Sequence, residues 1–526
     1  MPNEPNPPGA GSVVNSSPVT RRFDALLLIL PSLKLLLHLA TADGYGYFRD
    51  ELYYLACADH PAFGYVDHPP LSILVLKVWT AVFGTSLLSI RFVPALAGAV
   101  TVLLIGLVAR RMGGGRLAQQ MAMLAALFAP MEMGLDNYFS MNALDLLFWA
   151  LAAYLLTDIL LAERAATRKW IVLGVVLGLG LQNKISVLWL GAGIAAGLVL
   201  TGRRRLLATK GPWLAGALAG ALFLPYVLWN LANGLPTLEF MRNATATKML
   251  RHTPVEFAWE QIRTMGYAAA PLWIGGALWL LLAPRARPLR PLGLAFAAVW
   301  LFLAFSGTSR ASYPAAAYAW VFAAGGIALS EVSSTPLRRA VTGVLAVALI
   351  VLGAAAAPFA IPVLPVDTFV RYQKALGETP GTEERKTMGD LPQQWADRQG
   401  WIEIVDTFAS AWKSLPPDER AGAAIFASDY GVAGALDFFG PARGLPKAIS
   451  GHNNYWLWGP RGATGDVVLV HSDDEKRLRE IFTSVELYRR ISCGRCMPYE
   501  NDSSVWICRK PKANLETLWP RTKKFV

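Results

Sequence analysis

Charge is scarce in this 526-residue chain: Asp, Glu, Lys and Arg make up only 16% of it, against about 25% in soluble domains. That shortage, with 54% hydrophobic residues and a mean hydropathy of +0.36, points away from a soluble globular protein and toward a membrane protein. Cysteine is also rare, at four residues, which excludes a disulfide-built scaffold. No tandem repeat is present. A net charge of +12 does not indicate nucleic acid, because the basic residues sit in short clusters between apolar runs, as topology signals do.

Aromatic residues and long apolar runs are abundant instead. A helix needs about 20 residues to cross about 30 Å of hydrocarbon. About eleven stretches approach that length: 23–42, 88–109, 117–134, 143–162, 170–182, 187–202, 211–231, 268–284, 291–306, 311–330 and 338–360. Every second connection is basic, for example "ARRMGGGR" (109–116), "GRRRLLATK" (202–210) and "PRARPLR" (284–290). Such loops belong on the cytoplasmic side. This reading gives a polar, disordered cytoplasmic tail (1–22) and a mainly α, polytopic bundle (23–365) with a long first outer loop (43–87). Residues 366–526 follow as an extracytoplasmic α/β domain. In it, "GAAIFASDY" (422–430) and "GDVVLVHS" (465–472) read as strands and "DDEKRLREIFTSVEL" (473–487) as helix.

The pair 170–202 is too short for two full crossings although both of its flanks are basic. Two half-depth helices turning at "QNKIS" satisfy both facts and place Lys184 at an outward-facing turn. An ionisable residue there needs a partner or a cavity; the alternative is a lysine snorkelling to the interface.

The first outer loop concentrates charge: "GYFRDELYYLACADHPAFGYVDHPPL" (46–71) carries Asp50, Glu51, Asp59 and Asp67, with Asp43 just before it. "RDELYYLACAD" has helical spacing, with Leu52, Leu55 and Ala56 on one face. That pattern suits a short helix on the membrane surface with its acids toward water. Clustered acids also suit glycosyl transfer, where one carboxylate takes a proton from an acceptor hydroxyl. Cations must then meet the charge developing on a leaving phosphate. Asp50 is the candidate base, and Lys184 and Arg310 are the candidate phosphate partners.

These motifs resemble a family. "RDELYY" followed by "DHPPL" is similar to the bacterial relatives of the protein O-mannosyltransferases and the lipid A aminoarabinose transferase. Those are GT-C enzymes of glycosyltransferase family 39 that use polyprenyl-phosphate-linked sugars. "FSMNALDLLFWALAAYLL" (139–156), "GLGLQNKISVLWL" (178–190), "LPYVLWNLANGLPTLEF" (224–240), "PVEFAWEQI" (254–262) and "SRASYPAAAYAWVFAAGG" (309–326) follow in the family's order. The resemblance covers about residues 23–330. It implies Asp50 as catalytic base and Glu51 as its support or as a group orienting the acceptor. Asp67 and His68 would shape the pocket, and Arg310 and Tyr313 would contact the lipid phosphate. Asn142 stands where many relatives carry Asp, which puts a divalent-metal mechanism in doubt, and no cofactor is expected; Asp145 nearby is a further candidate.

The expected partners are a polyprenyl-phosphate sugar donor, membrane lipids and an acceptor glycan, lipid or protein, at a bacterial inner membrane. The competing reading is a polytopic transporter or lipid flippase, which predicts symmetry between halves; none is visible. In the tail, "SGHNNYWLWGP" (450–460) reads as a buried structural loop or a sugar-stacking surface. For "CGRC" (493–496), a disulfide from one of its cysteines to Cys508 is expected rather than zinc.

Overall fold

The computed structural model describes residues 25–332 and 335–526, so the 1–22 tail lies outside the described residues. The chain folds as a helical bundle followed by a smaller α/β unit. The bundle comprises α1 (Leu26–Ala40), α2 (Arg49–Asp59), α3 (Leu71–Phe83), α4 (Leu87–Arg111), α5 (Arg116–Leu127), α6 (Pro130–Leu135), α7 (Met141–Leu161) and α8 (Thr167–Asn183). It continues with α9 (Val187–Val199), α10 (Lys210–Ala232), α11 (Pro236–Asn243), α12 (Pro254–Met265), α13 (Ala270–Leu282), α14 (Arg290–Phe305), α15 (Tyr318–Ser330) and α16 (Thr335–Ala360).

Among the described residues, five helices are long and apolar enough to cross a membrane: Leu87–Arg111, Met141–Leu161, Lys210–Ala232, Pro284–Phe305 and Thr335–Ala360. A sixth arises if α12 and α13, bent by 116°, count as one span. Shorter apolar helices complete the bundle. The pair α8 and α9 is among the short ones, and Lys184 lies at the break between them. Small residues let some helices cross closely, as in membrane bundles. A methyl group on Gly276 of α13 would collide with the carbonyl of Val321, and one on Gly325 of α15 with that of Leu272.

The expected outer loop 43–87 contains two helices, α2 and α3. Its second half is α3, whose Leu74, Val78, Val82 and Phe83 are exposed and apolar, as befits a lipid-facing helix. Nor does α2 lie in water. Nearly all of it is buried, with Leu52 and Tyr53 at 0% and 1% exposure. The amphipathic pattern identifies the helix but not its second cover, which comes from 380 residues further on.

That cover is the C-terminal unit, entered through α17 (Val366–Ala375), α18 (Gln393–Ala396), α19 (Trp401–Ser414), α20 (Pro417–Gly422) and α21 (Tyr430–Phe439). Its five-stranded sheet has β1 (Ala424–Ala427), β2 (Ile449–Ser450), β3 (Val467–Ser472), β4 (Phe482–Arg490) and β5 (Ser504–Pro511) in the order β2-β1-β3-β5-β4. β1 pairs in parallel with β2 and β3, whereas β5 runs antiparallel to β3 and β4. The stretch read as one helix over 473–487 divides: Glu475–Ile481 is helical, and Phe482 begins strand β4. The β-rich "FTSVELY" pairs with β5, and that pairing overrides its local helical spacing. Packing of α21 against α2 is close. A side chain at Gly434 would meet the backbone of Leu52, and one at Gly431 the stem of Arg49.

The disulfide differs from expectation. Cys493 and Cys496 bond to each other, and Cys508 is a free, fully buried thiol. Cys508 sits within β5 opposite Val468 and Val485, facing the sheet's apolar layer and away from the 493–496 turn.

Candidate active site

The site is built on the first turn of α2. Glu51, at the third helical position, reaches back to accept the N–H of Phe48 at 2.8 Å. It also accepts the N–H of Phe139 at 2.9 Å. Arg91 of α4 donates to both of its oxygens, Nε to Oε1 at 2.9 Å and Nη2 to Oε2 at 2.7 Å. The same guanidinium donates to the carbonyls of Ala42, Gly44 and Gly46. Burial alone would raise the Glu51 pKa, but Arg91 and these hydrogen bonds hold it below the ordinary carboxylate range. With 0% exposure, Glu51 anchors the helix start and has no face toward a substrate.

Asp50, one residue earlier, points differently. Its side chain is 31% exposed and 3.5 Å from Arg49. Tyr430, the first residue of α21, donates its hydroxyl to Asp50 Oδ1 at 2.9 Å. The C-terminal unit therefore touches the candidate base directly. Tyr430 lies in a layered aromatic group with Tyr53 (4.7 Å between centroids), and Tyr53 donates to Asp67 Oδ1 at 3.0 Å. Burial raises the pKa of Asp67. His68 is fully buried against Tyr54 and Tyr65, with Nδ1 3.0 Å from the Pro69 carbonyl. Its Nε2 has no hydrogen-bond partner among the described residues and lies 3.9 Å from Asp67. Asn454, from "SGHNNYWLWGP", accepts the Val66 N–H at 2.7 Å. That motif, buried at Asn453, Asn454 and Tyr455, braces the Asp67 loop.

A cationic group stands on the other side of Asp50. Lys248, Arg310 and Arg49 converge on Glu384 at 3.3, 2.8 and 3.9 Å. Burial would raise the Glu384 pKa, but Lys248, Arg49 and Arg310 outweigh it and hold the carboxyl far below its ordinary range. Arg49 also pairs with Asp397 at 3.3 Å. Arg49 joins this group to Asp50, lying 3.5 Å from Asp50 and 3.9 Å from Glu384. Tyr313 is adjacent to Arg310, and its ring lies 5.9 Å from Trp189.

Lys184 belongs to a second, neighbouring group. Its Nζ donates to Asn142 Oδ1 at 2.9 Å and lies 3.3 Å from Asp145, which also accepts from Ser186 at 2.9 Å. Lys184 and Arg310 are the two phosphate partners that the sequence suggests. Here each already holds a carboxylate, and they sit in separate charge groups. Among the described residues, no three His, Cys, Asp or Glu side chains converge in a way that could hold a metal ion. A cleft of about 300 Å³ lined by Leu52, Asp59, Lys77, Phe438 and Lys447 lies on the opposite face of α2 from Asp50.

Sequence reading does not single out Glu384, Lys248, Tyr430 or Arg91. Arg91 alone carried a signal, as a cation inside the apolar stretch 88–109. Glu384 lies in the polar segment "PGTEERKTMGD", which looks like an ordinary loop.

Residues 67–229 match the model of the dolichyl-phosphate-mannose-protein mannosyltransferase family. No curated protein matches the chain at the sequence level. Among solved structures, ArnT from Cupriavidus metallidurans bound to undecaprenyl phosphate superimposes with a TM-score of 0.62 at 13% identity, covering 92% of this chain and 98% of that one. The apo state of the same protein gives a TM-score of 0.57 at 14% identity, covering 92% and 97%. The chain thus shares the overall fold of ArnT, and its residues 67–229 match the dolichyl-phosphate-mannose-protein mannosyltransferase family model.

Proposed function

We propose that this protein is a membrane glycosyltransferase that moves a monosaccharide from a polyprenyl-phosphate carrier to an acceptor hydroxyl. It would work at the outer face of a bacterial inner membrane, with about eleven spans and the C-terminal unit in the periplasm. The carrying observation is the placement of Asp50. It is a partly exposed carboxylate, held by Tyr430 at 2.9 Å and 3.5 Å from Arg49, which meets Lys248 and Arg310 at Glu384. The family match over 67–229 and the likeness to an ArnT structure holding undecaprenyl phosphate support the same reading.

In this mechanism Asp50 takes the acceptor's proton while the acceptor oxygen bonds to C1 of the sugar. The C1–O bond to phosphate breaks, and the electron pair leaves on the carrier phosphate. Fixed cations beside the departing oxygens stabilise that charge without reorganising. A single displacement inverts the anomeric centre. Asp67 and His68 shape the pocket wall, and Tyr313 flanks the phosphate. Asp145 and Lys184, paired at 3.3 Å, are further substrate-binding candidates. The acceptor is a glycan, a lipid or a protein.

The test is Asp50→Asn in the full-length protein. A general base contributes about 10²- to 10⁴-fold, so transfer should fall by at least the lower figure while carrier-lipid binding and the unfolding temperature stay near wild type. Turnover close to wild type would remove Asp50 from this role.

A further inference from the structure

We propose that the carboxylate of Glu384 and the phosphate of the donor lipid compete for the same cations, so that carrier binding displaces Glu384 from Lys248, Arg310 and Arg49. This rests on the lipid-phosphate reading above.

The first argument is charge balance. Lys248, Arg310 and Arg49 bring three positive charges from three separate parts of the fold. Glu384 contacts all of them, Asp397 takes Arg49 again, and Asp50 lies 3.5 Å from Arg49. Glu383 adds a further carboxylate, which accepts from Ser312 beside Arg310. The group is therefore already compensated. The donor's phosphodiester carries one negative charge and the freed carrier phosphate up to two; either gains little there while every carboxylate stays, and like charges sharing a buried site repel strongly. One carboxylate must give way.

The second argument is which one can. Asp50 is fixed on α2, and Asp397 directly follows α18 and is fully buried. Glu384, itself only 3% exposed, is carried on the segment between α17 and α18, which has no helix and whose one β-type backbone pairing is an isolated bridge to Met249. Its main tethers are the Arg385 N–H to the Lys248 carbonyl at 2.9 Å, Arg385 Nε to the Met249 carbonyl at 2.9 Å, and its own N–H to Thr382 Oγ1 at 2.9 Å. Arg385 Nη1 also donates to the Ala246 carbonyl at 3.1 Å, and these bonds are exposed or half-buried, unlike the helical and core contacts that fix Asp50 and Asp397.

The third argument is the capacity that remains. Arg310 keeps Nε without a hydrogen-bond partner among the described residues, and its side chain is 27% exposed. A planar guanidinium can therefore meet a phosphate with two donors once the carboxylate moves. Glu384 acts as an internal counter-ion. It keeps three cations from repelling one another, and the phosphate takes over that task.

The experiment measures binding of undecaprenyl phosphate to the full-length protein in nanodiscs, for wild type, Glu384→Gln and Arg310→Gln. Removing the competing charge should tighten binding about tenfold in Glu384→Gln, the order of one charge-assisted contact; Arg310→Gln should weaken it. Equal or weaker binding by Glu384→Gln, with wild type binding and Arg310→Gln impaired, overturns the exchange and leaves the donor reading standing. No binding by wild type removes both. Hydrogen exchange on wild type supplies a readout that needs no variant. Amides 382–386 should exchange faster with the lipid bound, and unchanged or slower exchange overturns the displacement.

Discussion

Glu51 and Arg91 form a two-bond ion pair of 2.9 and 2.7 Å, with 0% and 2% exposure, that fastens the start of α2 to α4. Removing one partner of such a pair leaves an uncompensated buried charge and costs about 3–5 kcal/mol. Arg91→Gln and Glu51→Gln should each lower the unfolding temperature sharply in a thermal melt. Asp50→Asn, one residue away, should leave it almost unchanged. Equal melting of all three would mean that Glu51 does not act through structure.

The same pair sets a pH signature. The folded-state pKa of Glu51 is lowered, so its contribution is complete above the unfolded value of about 4.3 and is lost as pH falls through the lower folded value. The stability gap between wild type and Glu51→Gln should be constant from about pH 7 to pH 5 and should close below about pH 4. A gap that widens on acidification would contradict the sign.

If Asp50 is the base, Tyr430 positions it, donating to it at 2.9 Å from the other half of the chain. Tyr430→Phe keeps the ring packing against Tyr53 and removes one hydrogen bond to a charged group, worth about 1.5–3 kcal/mol. Steady-state kinetics should show kcat reduced by about tenfold or more with KM for the donor little changed. A rise in KM alone would place Tyr430 in binding.

Lys184 and Asp145 should behave as one unit. Lys184→Met leaves Asp145 without its cation at 3.3 Å, and Asp145→Asn leaves the cation. Each single change should destabilise more than the double change does. A coupling energy of about 1–3 kcal/mol is expected from the melt of all four proteins. Additive effects would mean the pair is not coupled.

Thiol chemistry checks the disulfide. Cys57 and Cys508 are buried and free, and Cys493 is bonded to Cys496. The native protein should resist an alkylating reagent. Denaturation alone should expose Cys57 and Cys508, and added reductant the other two, as read by intact mass.

How legible the molecule was in its sequence depended on the range of the interaction. The α8–α9 break at Lys184 is a local matter of length, charge and hydropathy, and it is present. The helix at "RDELYYLACAD" also follows from local spacing. Its burial does not, because α21 covers it from far along the chain, and periodicity carries no record of that cover. Asp50 stood out because acids are rare in an apolar chain. Glu384 did not, because in a polar segment one more glutamate is unremarkable until Lys248, Arg310 and Arg49 are seen around it. Cys508 misled for the same reason: spacing says nothing about which face of β5 it occupies.

The contact of Tyr430 with Asp50 has a consequence for biogenesis. Residue 50 emerges early from the ribosome and its hydroxyl partner some 380 residues later. Glu384 and Asp397 also arrive late. The first turn of α2 is thus made long before the segments that cover it, and its hydrogen bond to Tyr430 forms only once the last third of the polypeptide has been synthesised and has packed over α2.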